Sequence, residues 1–325
     1  MEIKKNIPLS SYTSFKTGGQ ARFFCEVKTK EDLLTLFRWV KKEKINFFFL
    51  GGGSNLLISD SGFNGLIIKV SGNKIIWKDN FSWISAGTTI FKLISEAKKA
   101  DLGGIEWAFG VPATVGGGAR NNMGAFGFEL SQFISEIEVF DLKKATFFNL
   151  KNQDCQYSYR NSIFQQKPEW LIWRVKIKLL PSKREVIEKN ILKYFFLRKE
   201  KQPLEFPSAG SFFKNPPISL LDKKIKESLI DDFVNTKINN KEDKEKIREK
   251  VYRNGSLPAG YFIEKVGLKG KIIGGAKISL KHANFIINFN KAKTEDIIIL
   301  ASIIKQKVRT TFHIQLKEEV EYVGF

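Results

Sequence analysis

The stretch Phe47-Phe48-Phe49-Leu50-Gly51-Gly52-Gly53-Ser54-Asn55-Leu56-Leu57-Ile58 decides how this chain is read, because an apolar strand runs directly into three successive glycines. A backbone without Cβ atoms adopts positive φ readily and lies flat against a ligand, so several N–H groups can converge on phosphate oxygens. Ser54 and Asn55 add side-chain donors to that turn. A simple hairpin turn would use the same residues. Neither common nucleotide fingerprint is present: no Gly-Lys-Ser/Thr closes a P-loop, and no G-x-G-x-x-G opens a helix. A nucleotide held here requires a different fold.

Upstream, Thr29 and Asp32 have capping-box spacing, and Leu33, Leu36, Phe37 and Val40 share one helical face, which predicts a helix to about Lys44. With strands expected at 46–50 and 65–70, residues 1–70 read as a small α/β unit. Alternating runs at 75–78 and 81–85, a helix from Thr89 to Lys99 and strands at 134–141, 145–150 and 170–180 make a second unit over 71–202. A helix at 184–199 then meets Pro203 and Pro207, which mark a boundary. Residues 203–325 read as a C-terminal domain whose last strand is free to return to the first unit. It holds a long helix expected to be capped by Thr294, with Ile297, Leu300, Ala301, Ile304 and Val308 as its core stripe. The fold class is α+β.

With 325 residues, 42% of them hydrophobic, the chain can bury a sizeable core in two or three domains. No apolar stretch approaches the roughly 20 residues that span a bilayer, and no apolar signal core follows Met1, so a soluble cytoplasmic protein is expected. Cys25 and Cys155 lack metal-ligand spacing and read as buried, inert thiols; no metal is expected. A net charge of +20 raises the question of nucleic acid. The lysines, however, are spread along the whole chain, and the densest run, 239–250, interleaves acids with them as a solvated helix face does. No nucleic-acid partner is expected.

A second glycine-rich element runs from Gly103 through Gly110-Val111-Pro112-Ala113-Thr114-Val115-Gly116-Gly117-Gly118 to Gly124. Two such elements could grip one extended ligand from both sides, and a long dinucleotide such as FAD has the length. Three further clusters stand out: Tyr159-Arg160-Asn161-Ser162, Gly210-Ser211-Phe212-Phe213-Lys214-Asn215-Pro216, and Leu316-Lys317-Glu318-Glu319-Val320. Singly, each could be an ion pair, a turn hydroxyl or a solvated acid.

Together with Tyr12-Thr13-Ser14-Phe15-Lys16-Thr17-Gly18-Gly19, Gly267-Leu268-Lys269-Gly270 and His282-Ala283-Asn284-Phe285, in this order, the chain resembles the UDP-N-acetylenolpyruvoylglucosamine reductases of peptidoglycan synthesis over nearly its whole length. The resemblance implies a two-subdomain FAD-binding fold of the vanillyl-alcohol oxidase type followed by a smaller α+β substrate domain, with bound FAD and NADPH as co-substrate. It implies reduction of the enolpyruvyl ether of UDP-N-acetylglucosamine to UDP-N-acetylmuramate. Ser211 would be the proton donor, with Arg160 and Glu319 the other catalytic groups. Flavin contacts would come from Gly51, Gly52, Gly53, Ser54, Asn55, Gly110, Pro112, Thr114, Gly116, Gly117, Asn122 and Gly124. Substrate contacts would come from Tyr159, Lys214, Asn215 and Lys201. The protein is expected to act as a monomer on a small UDP-sugar.

Several residues depart from the family pattern. Ala113 stands where glycine is frequent and Phe126 where tyrosine is common, Arg120-Asn121-Asn122-Met123 is an unusual spelling, and the terminal motif leaves Glu318 a rival to Glu319. Residues 217–257 look longer than in many relatives. A flavin oxidase or dehydrogenase acting on another substrate is the alternative within enzymes, with a silent nucleotide-binding module or a nucleic-acid binder outside them. The joint presence of Ser211, Arg160 and Glu319 favours the reductase.

Overall fold

The computed structural model describes residues 1–223, 225–236 and 241–325. Among them, Phe47–Leu50 and Phe63–Val70 pair in parallel, and Gln20–Val27 lies parallel to Phe63–Val70 on its other side. Ile3–Pro8 closes that edge antiparallel to Gln20–Val27. The three parallel strands alternate their side chains between two faces, and each face is covered. Cys25, Val27, Leu66, Ile68 and Val70 join one core, while Ala21, Phe24, Leu50 and Ile67 join another with Leu56, Ile58 and Val323. The helix Lys30–Glu43 covers the first face, its start fixed by a reciprocal Thr29–Asp32 box and its end by Lys44 in the left-handed conformation. Ile3–Pro8 escaped sequence reading because its middle, Lys4-Lys5-Asn6, is polar and exposed, as suits an edge.

The second sheet is antiparallel, in the order Thr146–Lys151, Ile134–Asp141, Trp170–Lys178, Phe81–Ser85, Ile75–Lys78. Its Ile84, Ile137, Val139 and Val175 share a core with the first sheet. The two sheets thus pack around one interior, and the glycine elements emerge beside it.

The C-terminal part folds as a small antiparallel sheet, Ile272–Ile273, Ala276–Ile278 and Ile286–Asn288, against the helix Thr294–Phe312. Ile297, Leu300, Ala301, Ile304 and Val308 of that helix are buried, as the stripe requires. The expected cap is corrected. Thr294 is the first helical residue, and its hydroxyl donates to the Ile58 carbonyl at 2.6 Å. The terminal N–H groups of Thr294 and Glu295 donate instead to the carboxylate of Asp60, at 3.1 and 3.3 Å. A cap supplied from 234 residues upstream cannot be read locally. Asp60→Ala is expected to lower stability by about 1 kcal/mol, read as a shift in the urea midpoint at unchanged m-value.

The charged run begins outside the described residues, at Asn239 and Asn240. From Lys241 it is a helix to Asn254, with Val251 turned inward. The last strand, Glu321–Val323, pairs in parallel with Leu56–Ile58, directly after the first glycine turn. Cys25 and Cys155 are buried free thiols, which burial pushes up to about 11 and about 12. Among the described residues no helix is long and apolar enough to cross a membrane.

Candidate active site

A cavity of about 900 Å³ opens where the two sheets and the C-terminal part meet, lined by both glycine elements, Arg160, Ser211 and Glu319. The glycines of the first turn are set by close backbone contacts. A Cβ at Gly52 would stand 2.8 Å from the Pro112 carbonyl oxygen. Gly53, at φ +63°, would place one 1.9 Å from the Tyr12 carbonyl oxygen. The turn is therefore wedged between Tyr12 and the second glycine element. None of the backbone N–H groups of Gly52, Gly53, Ser54 and Asn55 donates to a described carbonyl.

The second element is partly helical. Gly116, Gly117 and Gly118 lie inside the helix Val115–Arg120, capped by the Thr114 hydroxyl, which accepts from the Gly117 N–H at 3.3 Å. Glycine is helix-disfavouring, but a Cβ at Gly116 would meet that of Ala86 at 2.6 Å, so the helix can approach the sheet only without one.

Ser211 follows Gly210, whose φ of +76° turns the chain, and precedes buried Phe212 and Phe213. The buried amide of Asn284 holds this segment: its Oδ1 accepts from the Phe213 N–H at 2.9 Å and its Nδ2 donates to the Phe213 carbonyl at 2.8 Å. Glu319 lies alongside, its N–H donating to the Phe212 carbonyl at 2.8 Å. Arg160, itself at φ +52°, reaches in from the second sheet's connections. Its Nε donates to Glu319 Oε1 at 2.6 Å, Nη2 to the Gly124 carbonyl at 2.6 Å, and Nη1 to the Asn122 carbonyl at 3.4 Å. Burial raises the Glu319 carboxyl above the usual carboxylate range, against the pull of Arg160 and Lys214. Glu318, the rival, points away and pairs with Lys305 at 2.8 Å.

The raised Glu319 makes a signed prediction. The folded state holds that proton to higher pH than the unfolded chain, so the contribution is complete below about pH 4.3 and lost as pH rises through the folded value. The thermal midpoint of Glu319→Gln relative to the parent should therefore move in the variant's favour between pH 4 and pH 8, checked by calorimetry across that range.

Of the other expected residues, Gly51, Gly52, Gly53, Ser54, Asn55, Gly110, Pro112, Thr114, Gly116, Gly117 and Gly124 line the cavity. Asn55 also ties the turn to the last strand, its Nδ2 donating to the Glu319 carbonyl at 2.9 Å. Asn122 does not line it. Its fully buried amide donates to Glu129 and the Ser158 carbonyl and accepts from the Ser131 N–H. Tyr159, Lys214 and Asn215 are not among the lining residues, although Tyr159 adjoins Arg160 in the chain and Lys214 reaches that arginine's carbonyl. The Tyr159 hydroxyl accepts from the Asn215 N–H at 3.4 Å, Lys214 Nζ donates to the Arg160 carbonyl at 3.2 Å, and Asn215 Oδ1 accepts from the Ala259 N–H at 3.0 Å. Lys201 is exposed at a helix end outside the lining. Phe126, the tyrosine substitute, packs on Tyr194 and Arg198.

Sequence reading passed over Arg198 and Glu321, and noted Arg120 only as an odd spelling. Arg198 lines the cavity, and its Nε and Nη2 donate to the carbonyls of Phe109 and Trp107 at 2.8 and 3.0 Å. Burial lowers it to about 10. One arginine among 54 basic residues carries no signal until the fold places it.

These features fit FAD. The open N–H groups and the glycine cradle suit a diphosphate, and Arg198 is a buried cation whose donors meet neutral acceptors. The Ser14 hydroxyl, on the lining, has no hydrogen-bond partner among the described residues.

Comparison with known proteins agrees. An FAD binding domain model matches residues 21–150, and the model "UDP-N-acetylenolpyruvoylglucosamine reductase, C-terminal domain" matches 202–323. The reductase of Caldanaerobacter subterraneus is 35% identical, covering 98% of this chain and 93% of its own length. That of Clostridium novyi is 33% identical, covering 99% and 92%. The crystal structure of the enzyme from Thermus caldophilus aligns with a TM-score of 0.74 and 28% identity over 99% of this chain and 98% of its own. With an α+β fold that joins an FAD-binding portion to that C-terminal domain, the chain belongs to the UDP-N-acetylenolpyruvoylglucosamine reductase family.

Proposed function

We propose that this protein reduces the enolpyruvyl ether of UDP-N-acetylglucosamine to UDP-N-acetylmuramate with NADPH, and that Ser211, Arg160 and Glu319 carry the reaction. FAD, held by the two glycine elements that line the cavity, would supply a two-electron carrier between NADPH and the terminal vinyl carbon of the substrate. Hydride addition there places negative charge on the substrate carboxylate and leaves the neighbouring carbon to be protonated.

Arg160 answers the first need. Three of its five N–H donors hold Glu319, Gly124 and Asn122, which leaves two for a ligand carboxylate as its charge builds. Ser211 answers the second. A serine hydroxyl is a weak acid, but an enolate-like carbon is basic enough to take its proton when the two are aligned; the alkoxide recovers a proton from solvent. Glu319, raised by burial, retains a proton more readily than a solvated acid and can share it with the same oxygens. Tyr159, Lys214 and Asn215, linked to one another and to the Arg160 carbonyl, are proposed to meet the UDP portion. Asn122 is proposed to act indirectly, by shaping the turn before Gly124.

The observation that carries the reading is the 2.6 Å Arg160–Glu319 contact on the wall of the cavity that Ser211 and both glycine elements also line. We further infer a cytoplasmic monomer. The test is NADPH oxidation that depends on the enolpyruvyl substrate, in a protein that purifies with flavin absorbance. NADPH oxidation unaffected by that substrate would point to the alternative flavoenzyme.

A further inference from the structure

We propose that Arg120 and Glu321 form a positioning pair for the carboxyl of Glu319, an inference that rests on the function proposed above. Arg120 grips Glu321 with both ends of its fork, Nη1 to Oε2 at 2.7 Å and Nη2 to Oε1 at 3.0 Å. Glu321 lies two residues beyond Glu319, at the start of the last strand and just after a bend at Glu319 and Val320. Both line the cavity, while Val320 between them is buried in the core. The main chain here is clamped from both sides. The Glu319 N–H donates to the Phe212 carbonyl, and the Glu321 N–H donates to the Asn55 carbonyl at 3.0 Å.

The two arginines are also joined on their own side. The Ser162 hydroxyl donates to the Arg120 carbonyl at 2.5 Å, and Gln165 Nε2 donates to the Arg160 carbonyl at 3.1 Å. Two arginine–carboxylate rungs therefore span one gap. They differ in geometry. Glu319 is held by Nε alone, a contact about which the carboxyl can swing, whereas the forked pair fixes both distance and plane. The forked rung anchors the strand two residues on and limits where the Glu319 carboxyl can go. Its side chains are each 32% exposed, so it adds little to global stability and its effect falls on rate.

The test uses the flavin-loaded full chain as Arg120→Met, Glu321→Gln, the double variant and the charge swap Arg120→Glu/Glu321→Arg. Reduction of the flavin by NADPH and its reoxidation by the enolpyruvyl substrate are followed separately by stopped flow. Each single variant is expected to slow reoxidation about tenfold, less than the roughly 100-fold of a 1 Å misplacement. Flavin content, thermal midpoint, KM and the rate of reduction should match the parent. The double variant should be no slower than the singles, and the swap should recover part of the loss. Parental reoxidation rates in the singles would overturn the proposal. So would equal slowing of both half-reactions or loss of flavin, which would mark a merely structural pair. If the parent itself is not reoxidised by this substrate, the functional reading fails first.

Discussion

Ser211→Ala is expected to lower steady-state turnover about 100-fold or more, the usual span for removing a positioned proton donor. The substitution removes one oxygen from a segment that Asn284, Phe212 and Phe213 hold independently. Flavin content and thermal midpoint should therefore stay parental. Reduction of the bound flavin by NADPH requires no proton from the serine and should also be unchanged. The loss should sit in the half-reaction that consumes the enolpyruvyl ether. Reoxidation followed at the flavin band decides the matter, because a variant that reoxidises at the parental rate leaves the proton to another group. Ser211→Cys provides a second reading, since a thiol is the stronger acid and nearly fills the same space.

The other large effect concerns the first glycine turn. Gly53→Ala adds a methyl group that would stand 1.9 Å from the Tyr12 carbonyl oxygen, at a φ of +63° that L-residues avoid. Backbone cannot yield as a flexible side chain can, so both strain and overpacking act, at a cost on the order of 3 kcal/mol. The same displacement would disturb the row of N–H groups proposed to meet the diphosphate. The variant should purify without yellow colour, unfold at lower urea, and bind added FAD at least tenfold more weakly by fluorescence quenching. Gly127 provides the control, with φ +91° but no atom within 4 Å of a built Cβ. Gly127→Ala should show only the strain, about 1 kcal/mol, and keep its flavin. Equal flavin loss in both variants would show that close packing at Gly53 is not what the turn requires.

Much of the molecule was legible because local rules coincide with tertiary demands. The helix at Lys30–Glu43 begins at a capping box and shows an apolar face, so its ends and its buried side could be read without knowing its partners. The strands Ile75–Lys78, Phe81–Ser85 and Ile134–Asp141 fall where alternation places them. Thr294 shows the limit. Its pattern suits a cap, but a buried hydroxyl contact to Ile58 and the distant carboxylate of Asp60 fill that role differently.

At the site the division is similar. The glycine runs announce that backbone must pass close to something, whether a ligand or another chain segment. That Gly52 approaches Pro112 emerges only when the two sheets pack together. Asn122 reads as a flavin contact from its place in the motif, yet its amide is consumed by Glu129, Ser131 and Ser158. Glu318 and Glu319 are chemically identical neighbours, and the path of the chain past the Phe212–Phe213 segment, with Glu318 bridged to Phe213 and Glu319 in a bend, decides which one reaches Arg160 and which reaches Lys305.

Taken alone, the order of residues determined which segments are helix and strand, where backbone must be bare of Cβ atoms, and which family pattern the scattered polar residues match, since propensity, periodicity and steric freedom act over a few residues. Convergence was decided by the tertiary structure. Arg160 meets Glu319 across 159 positions, Arg120 meets Glu321 across 201, and Arg198 reaches the Trp107 carbonyl across 91. Such contacts depend on how sheets and helices pack around shared cores, and no local rule specifies which of many like-charged side chains will be brought to the cavity wall.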